Sequence, residues 1–146
     1  MEFSVTLINH TDHEFEESLF DNLAAMVLSE EHIPETSSGD AEIGLILCSG
    51  NEIRELNRKF RGQDEKTDVL SFKSDYPNIP QLGDIIIDIE RANEQKGNMS
   101  LNYEVQILFL HGLLHLLGYD HISQKQQREM RAIENKYQRF IKEFDK

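Results

Sequence analysis

A single cysteine, Cys48, in 146 residues excludes an internal disulfide and suits a reducing compartment. Its place in the apolar run Ile43-Gly44-Leu45-Ile46-Leu47-Cys48 reads as a buried structural thiol rather than a nucleophile. No apolar run approaches the roughly eighteen residues of a membrane span. The N-terminal Met1-Glu2-Phe3-Ser4-Val5 also lacks the basic and apolar succession of a signal peptide, so a soluble, cytoplasmic chain with no membrane partner is expected. Lysine and arginine are absent from the first 53 residues, whose twelve acids carry the whole formal charge of −12; residues 54–146 set fifteen bases against fifteen acids. Such a charge opposes nucleic-acid binding in general, because phosphate contacts draw on Lys and Arg. Its confinement to one end leaves room for a local exception. Arg54, Arg58, Lys59, Arg61 and Lys66 cluster within thirteen residues, either as a phosphate contact or as a solvated basic helix face.

The length fits one domain spanning residues 1–146 and suffices for a sizeable core. Phe3 to Ile8 alternates weakly and reads as a first strand. Thr11 with Glu14 forms a capping box, after which Phe15, Leu19, Leu23, Met26 and Val27 recur at helical spacing until Pro34 and the polar loop Thr36 to Asp40. Ile43 to Cys48 is a second strand. Ser49 with Glu52 caps a short helix with Ile53, Leu56 and Phe60 on one side, and Arg61-Gly62-Gln63-Asp64 turns out of it. Thr67 to Phe72 and Gly83 to Ile87 are the third and fourth strands, separated by the proline-bearing loop Tyr76 to Pro80. A helix from Asp88 to Gly97 follows, Ser100 opens the most apolar helix, and Ser123 with Gln126 caps a charged helix to about Phe144. Helices and strands alternate only in the first half. The predicted fold is therefore α+β: a mixed four-stranded sheet covered by about five helices, with a buried histidine-bearing helix packed on the sheet.

That helix holds the most informative residues. His111-Gly112-Leu113-Leu114-His115-Leu116-Leu117-Gly118-Tyr119-Asp120-His121 places three of the chain's six histidines at spacings of four and six. On an α-helix His111 and His115 lie one turn apart on one face. Gly118 can end the helix in a left-handed conformation, and the returning chain can aim His121 at the same point. A lone histidine on an apolar helix is ordinarily a core residue with one hydrogen bond. Three at this spacing, among Val105, Ile107, Leu108, Phe109 and Leu110, would each cost about 1–3 kcal/mol if buried unsatisfied. One shared divalent cation removes that cost, and three protein ligands leave the open position of a catalytic metal centre. The same ligand spacing occurs in metzincin proteases, whose pattern carries a glutamate after the first histidine as general base. Here that residue is Gly112, so the ligand set is kept while the peptide-hydrolysis base is missing.

With these eleven residues, with Arg61-Gly62 followed by Thr67-Asp68-Val69-Leu70-Ser71-Phe72, and with Leu82-Gly83-Asp84-Ile85, all in the family's order, the chain resembles the YbeY family of bacterial metal-dependent endoribonucleases. The resemblance covers nearly the whole length. It implies one zinc ion held by His111, His115 and His121, and single-stranded RNA rather than DNA as substrate. It also implies trimming of the 3′ end of small-subunit (16S) ribosomal RNA, ribosome quality control and association with the small subunit. The family's functionally important arginine falls on Arg61, where a guanidinium could clamp phosphate with two hydrogen bonds; a surface ion pair with Asp64 or Glu65 is the plainer alternative. Arg61 and His115 are the expected catalytic residues.

The chemistry leaves several routes open. A zinc ion on neutral imidazoles keeps its double charge and can polarise a phosphoryl oxygen or lower the pKa of water to about 7. The base could be metal-activated water, Asp120 or the ribose 2′-hydroxyl, while Asp68 or Asp84 could orient a histidine from behind. Two other classes compete. One is a zinc hydrolase of the peptidase type, favoured by ligand spacing and disfavoured by Gly112. The other is a non-catalytic, metal-stabilised ribosome-binding factor using Lys125, Arg128, Arg131, Lys136, Arg139 and Lys142. The interspersed Glu129, Glu134 and Glu143 make that last face read more economically as a solvated one.

Overall fold

The computed structural model describes residues 3–31, 40–62, 67–74, 80–119 and 123–143. In chain order the elements are β1 (Phe3–Asn9), α1 (Glu17–Glu30), β2 (Ala41–Cys48), α2 (Gly50–Arg61), β3 (Val69–Lys73), β4 (Gln81–Asp88), α3 (Ile89–Gln95), α4 (Leu101–Leu116) and α5 (Gln124–Glu143). The strands form one sheet in the order β1-β2-β4-β3. β1, β2 and β4 run parallel, and β3 lies antiparallel on the β4 edge. The α+β architecture expected from the sequence is the one observed, with five helices among the described residues.

Alternation along the strands sorts their side chains into two cores. Ile43, Leu45 and Leu47 of β2 and Ile85 and Ile87 of β4 join Phe20, Leu23 and Val27 of α1 and Phe109, Leu110 and Leu113 of α4 in the main cluster. On the opposite face Cys48, Leu70 and Ile86 pack with Ile53 of α2. Cys48 is buried as expected, and burial pushes its thiol up to about 12, out of the range of a useful nucleophile.

Most caps follow the sequence reading. Ser49 Oγ accepts the Glu52 N–H at 3.4 Å, Ser100 Oγ accepts the Tyr103 N–H at 3.0 Å, and Ser123 and Gln126 exchange a full capping box at 3.1 and 3.3 Å. Asp88 caps α3 rather than belonging to it, accepting from the Glu90 and Arg91 N–H groups. The box expected at Thr11 does not form. Asn9 Oδ1 accepts both the N–H and the hydroxyl of Thr11, at 2.9 and 2.7 Å, and this local closure delays the helix until Glu17. Of Ile53, Leu56 and Phe60, expected on one side of α2, Ile53 is buried and Phe60 is 61% exposed. Pro34 and the segment from Thr36 to Gly39, the turn residues Gln63 and Asp64, the loop from Tyr76 to Ile79, and Phe144 lie outside the described residues. No helix among the described residues is long and apolar enough to cross a membrane.

The docking of α4 on the sheet rests on a residue without a side chain. A Cβ at Gly112 would stand 2.8 Å from Ile85 Cγ2 and 3.1 Å from Ser71 Oγ, so the helix approaches β3 and β4 more closely than an alanine allows. Ser71 Oγ donates to the Gly112 carbonyl at 3.2 Å across the same contact. Ile85 is β-branched in a strand and has little freedom to withdraw. Gly112→Ala gains about 1 kcal/mol of helix propensity and loses about 1–3 kcal/mol to overpacking. We expect the loss to win, lowering the urea unfolding midpoint by the equivalent of about 1 kcal/mol; a raised midpoint would refute the close-approach assignment.

Candidate active site

At its C-terminal end α4 presents His111 and His115 to a cavity of about 410 Å³, lined also by Arg61, Val69, Ser71, Lys73, Gly118 and Tyr119. The helix itself is buried along Leu108, Phe109, Leu110, Leu113, Leu114 and Leu116, but the two imidazoles are not enclosed as its apolar neighbours had suggested. The His111 side chain is 32% exposed. Both rings open into the cavity because the helix turns its apolar residues to the sheet and to α1, leaving the 111 and 115 stripe toward β3 and α5.

The helix ends as the sequence anticipated. Gly118 takes a φ of 102°, its N–H donates to the His115 carbonyl at 3.0 Å, and the Tyr119 N–H donates to the Leu114 carbonyl at 3.1 Å. This paired closure ends the helix and sets Gly118 and Tyr119 on the cavity wall. His121 and Asp120, two and one residues further on, lie outside the described residues. Among the described residues no three His, Cys, Asp or Glu side chains converge as a ligand set; two of the three expected ligands do.

The Nε2 atoms of His111 and His115 stand 3.1 Å apart, with ring planes inclined at 72°. Two imidazole nitrogens about 2.0–2.1 Å from a tetrahedral zinc ion would be about 3.3 Å apart. The donor set and its spacing therefore fit one such ion. On its far side, His111 Nδ1 lies 2.9 Å from Glu134 Oε1 of α5. A carboxylate oxygen accepts, so this contact favours the His111 tautomer that carries its N–H on Nδ1 and turns Nε2 to the cavity and to His115 Nε2.

Glu134 was read from the sequence only as one acid of a solvated face. Its helical position was the overlooked signal: it falls four residues after Met130 and three before Tyr137, both fully buried, on the stripe that faces the core. The acids considered for that orienting role are engaged elsewhere. Asp68 Oδ2 accepts from Gln95 Nε2 at 3.3 Å and Asp84 Oδ1 accepts from Gln81 Nε2 at 3.4 Å.

Arg61, the last residue of α2, reaches the cavity around the edge strand. Its Nη2 donates to the Ser71 carbonyl at 2.7 Å and its guanidinium lies 5.3 Å from the centre of the Phe72 ring. The pairing partners considered for it, Asp64 and Glu65, are outside the described residues, as is Lys66. Of the remaining basic cluster, Arg58 is paired with Glu55 and Lys59 sits over the Phe60 ring. Lys73, which the sequence reading did not single out, supplies a second cation to the cavity wall. On α5 Lys136 bonds Glu30 at 2.7 Å and Lys125 lies 3.9 Å from Glu129.

Comparison with known proteins gives a consistent result. A family model described as Endoribonuclease YbeY matches residues 6–142. An Endoribonuclease YbeY of Halalkalibacterium halodurans is 38% identical over 89% of this chain and 90% of its own length. Another, from Heliobacterium modesticaldum, is 41% identical over 84% of this chain and 83% of its own. The solution structure of a Thermotoga maritima protein aligns over 95% of this chain and 88% of its own with a TM-score of 0.57 and 29% identity.

The orientation of His111 can be tested without any ligand. In nitrogen-15 NMR of the imidazoles, wild type should show His111 protonated at Nδ1. Glu134→Ala should return it to the Nε2-protonated tautomer, while Glu134→Gln, whose amide oxygen can still accept, should keep most of the native state. An unchanged spectrum in the alanine variant would show that Glu134 does not orient the ring.

Proposed function

The chain belongs to the endoribonuclease YbeY family, and we propose that it is a metal-dependent endoribonuclease cutting single-stranded RNA at the cavity between α4 and β3. One observation carries the reading: two imidazole nitrogens 3.1 Å apart share that cavity with the Arg61 guanidinium and Lys73. His111 and His115, completed by His121, would hold one zinc ion. Bound there, zinc supplies Lewis acidity toward a phosphoryl oxygen or water.

The chain's own residues do the rest. Glu134 fixes the His111 ring so that an unprotonated nitrogen faces the substrate. The Ser71 carbonyl holds the Arg61 guanidinium at the cavity rim, where its planar donors suit the paired oxygens of a phosphate and the negative charge that grows on them during cleavage. Lys73 adds a mobile point charge for a neighbouring phosphate. Position 112 cannot serve as the glutamate of a peptidase motif, because it is packed against Ile85 and Ser71, and this favours phosphodiester over peptide hydrolysis. In the cell the substrate we propose is ribosomal RNA, at the 3′ end of the small-subunit (16S) species and in ribosome quality control, with the small subunit as partner in the cytoplasm; family membership supports this.

His115→Ala should lose both zinc, measured by elemental analysis after reconstitution, and cleavage of a defined single-stranded RNA. Arg61→Ala should keep fold and zinc while turnover falls about 10²–10³-fold, as for loss of one donor to transition-state charge. Wild type reconstituted with less than about a tenth of an equivalent of zinc would end the metal assignment. Undiminished cleavage by Arg61→Ala would end the clamp.

A further inference from the structure

Around the edge strand from the histidines, on the outer side of β3, α2 ends in an exposed aromatic surface. Phe60 is 61% exposed, and its ring meets that of Phe72 edge-on, with centroids 5.8 Å apart. Phe72 in turn lies beneath the Arg61 guanidinium and is seated against the second core, so it is a fixed floor. Lys59 places its ammonium 5.4 Å from the centre of the Phe60 ring. A phenylalanine this exposed on a helix end leaves apolar area in water. Here it stands amid cations, beside the guanidinium that reaches into the cavity.

We propose that Phe60 is a stacking platform for one nucleobase of a single-stranded RNA whose adjacent phosphate is held by Arg61. The inference rests on the endoribonuclease reading and adds to it the residue that selects unpaired strands. The chemistry of the surface matches that occupant. Aromatic faces bind bases of any identity through stacking, and flanking cations hold the backbone; this is the combination by which proteins take up single strands without sequence preference. A duplex keeps its bases stacked on each other and offers Phe60 no free face. Arg61, adjacent in sequence and turned around the edge strand by its bond to the Ser71 carbonyl, ties the platform to the reaction cavity.

The chain contains no tryptophan, so Phe60→Trp introduces a sole indole reporter at the platform itself. Binding is measured on the full chain with a six-nucleotide 2′-O-methyl RNA, which cannot be cut through its 2′-oxygen, an abasic sugar-phosphate of equal length, and the same RNA in a duplex. The single-stranded oligomer should quench the indole; the abasic and duplex forms should not. Phe60→Ala and Phe60→Leu should each weaken single-strand binding about tenfold and leave abasic binding unchanged, with Phe60→Trp restoring the wild-type affinity. Arg61→Ala should weaken both oligomers. The leucine variant separates stacking from mere apolar bulk, and circular dichroism checks that each variant folds. If Phe60→Ala binds the single strand as wild type does while Arg61→Ala weakens both, the platform is refuted and the endoribonuclease reading stands. Indole emission that changes with protein concentration alone, with a doubled sedimentation mass, would assign the surface to a second copy of the chain and also refute it. Wild type that binds none of the oligomers would overturn the reading beneath it and the platform together.

Discussion

The distance between α4 and the edge strand sets the dimensions of the whole site, and Gly112 sets that distance. Without a side chain there, the helix backbone comes close enough for Ser71 Oγ to donate to the Gly112 carbonyl. The same residue's own carbonyl accepts from Arg61. Ser71 thus joins the two halves of the chemistry, with its side chain on the histidine helix and its main chain on the arginine. Because β3 pairs with β4 over Val69 to Lys73, the strand that performs this joining is held in register by the sheet, with Ser71 opposite Ile85. A site built on a strand and a helix in contact is held more tightly than one built on loops. The comparison with metzincin spacing gains a physical meaning from this. A glycine in place of glutamate offers no base and also permits an approach that brings a cation around the sheet edge to the paired histidines.

Behind the histidines a second contact keeps α5 in place, and with it Glu134. Tyr137, one turn after Glu134, is 1% exposed and donates to Glu31 at 2.6 Å and Glu30 at 3.0 Å, at the end of α1. Lys136 closes the same group at 2.7 Å from Glu30. Hydrogen bonds from Lys136 and then Tyr137 hold Glu30 below the usual carboxylate range, while burial first, and then those glutamates, push the Tyr137 hydroxyl up, so it remains a donor. The sign follows from linkage. A carboxylate lowered by folding contributes stability above its unfolded value of about 4.3 and loses it as pH falls through its folded value. The clasp is complete at neutral pH and loosens in acid as Glu30 protonates; in strong alkali, as pH rises through the raised value of Lys136, the ammonium's share is lost as well. Tyr119, on the cavity wall, reaches the same Glu31 at 3.5 Å, which connects the clasp directly to the chain returning from α4.

The elements and the two histidines were legible in the sequence because each rests on a local rule. Strand alternation, serine caps and a glycine stop are settled within a few residues, and so is the one-turn spacing of His111 and His115. Where two local rules competed, the pattern misled. Thr11 and Glu14 satisfy a capping box, but Asn9 engages the Thr11 hydroxyl first. What remained hidden was non-local. Glu134 touches His111 across 23 residues, and Lys73 enters the site only because β3 is an edge strand beside α4. Helical spacing puts Phe60 on the side of Ile53 and Leu56 without saying how far the partner surface extends. β3 ends the sheet, so the outermost position of that face is left largely exposed, beside Phe72 and Lys59.

The uneven charge of the chain then reads as a means of choosing where a polyanion lands. A second cavity, at the C-terminal end of β4, is lined by Asp68, Asp88, Glu90 and Glu94 with Arg91. That end of a parallel sheet is where α/β folds commonly bind ligands, and here its carboxylates turn phosphate away. The cations Arg61 and Lys73 lie instead at the edge strand beside the histidines. At physiological ionic strength a charge is felt over about 8 Å, so each cavity acts on its own neighbourhood, and the −12 carried by residues 1–53 opposes contact with RNA at that end of the chain. An acidic chain gains little from non-specific binding and depends on a few well-placed contacts. For a member of an endoribonuclease family, a weak general affinity for RNA beside a local group of cations is a selective arrangement.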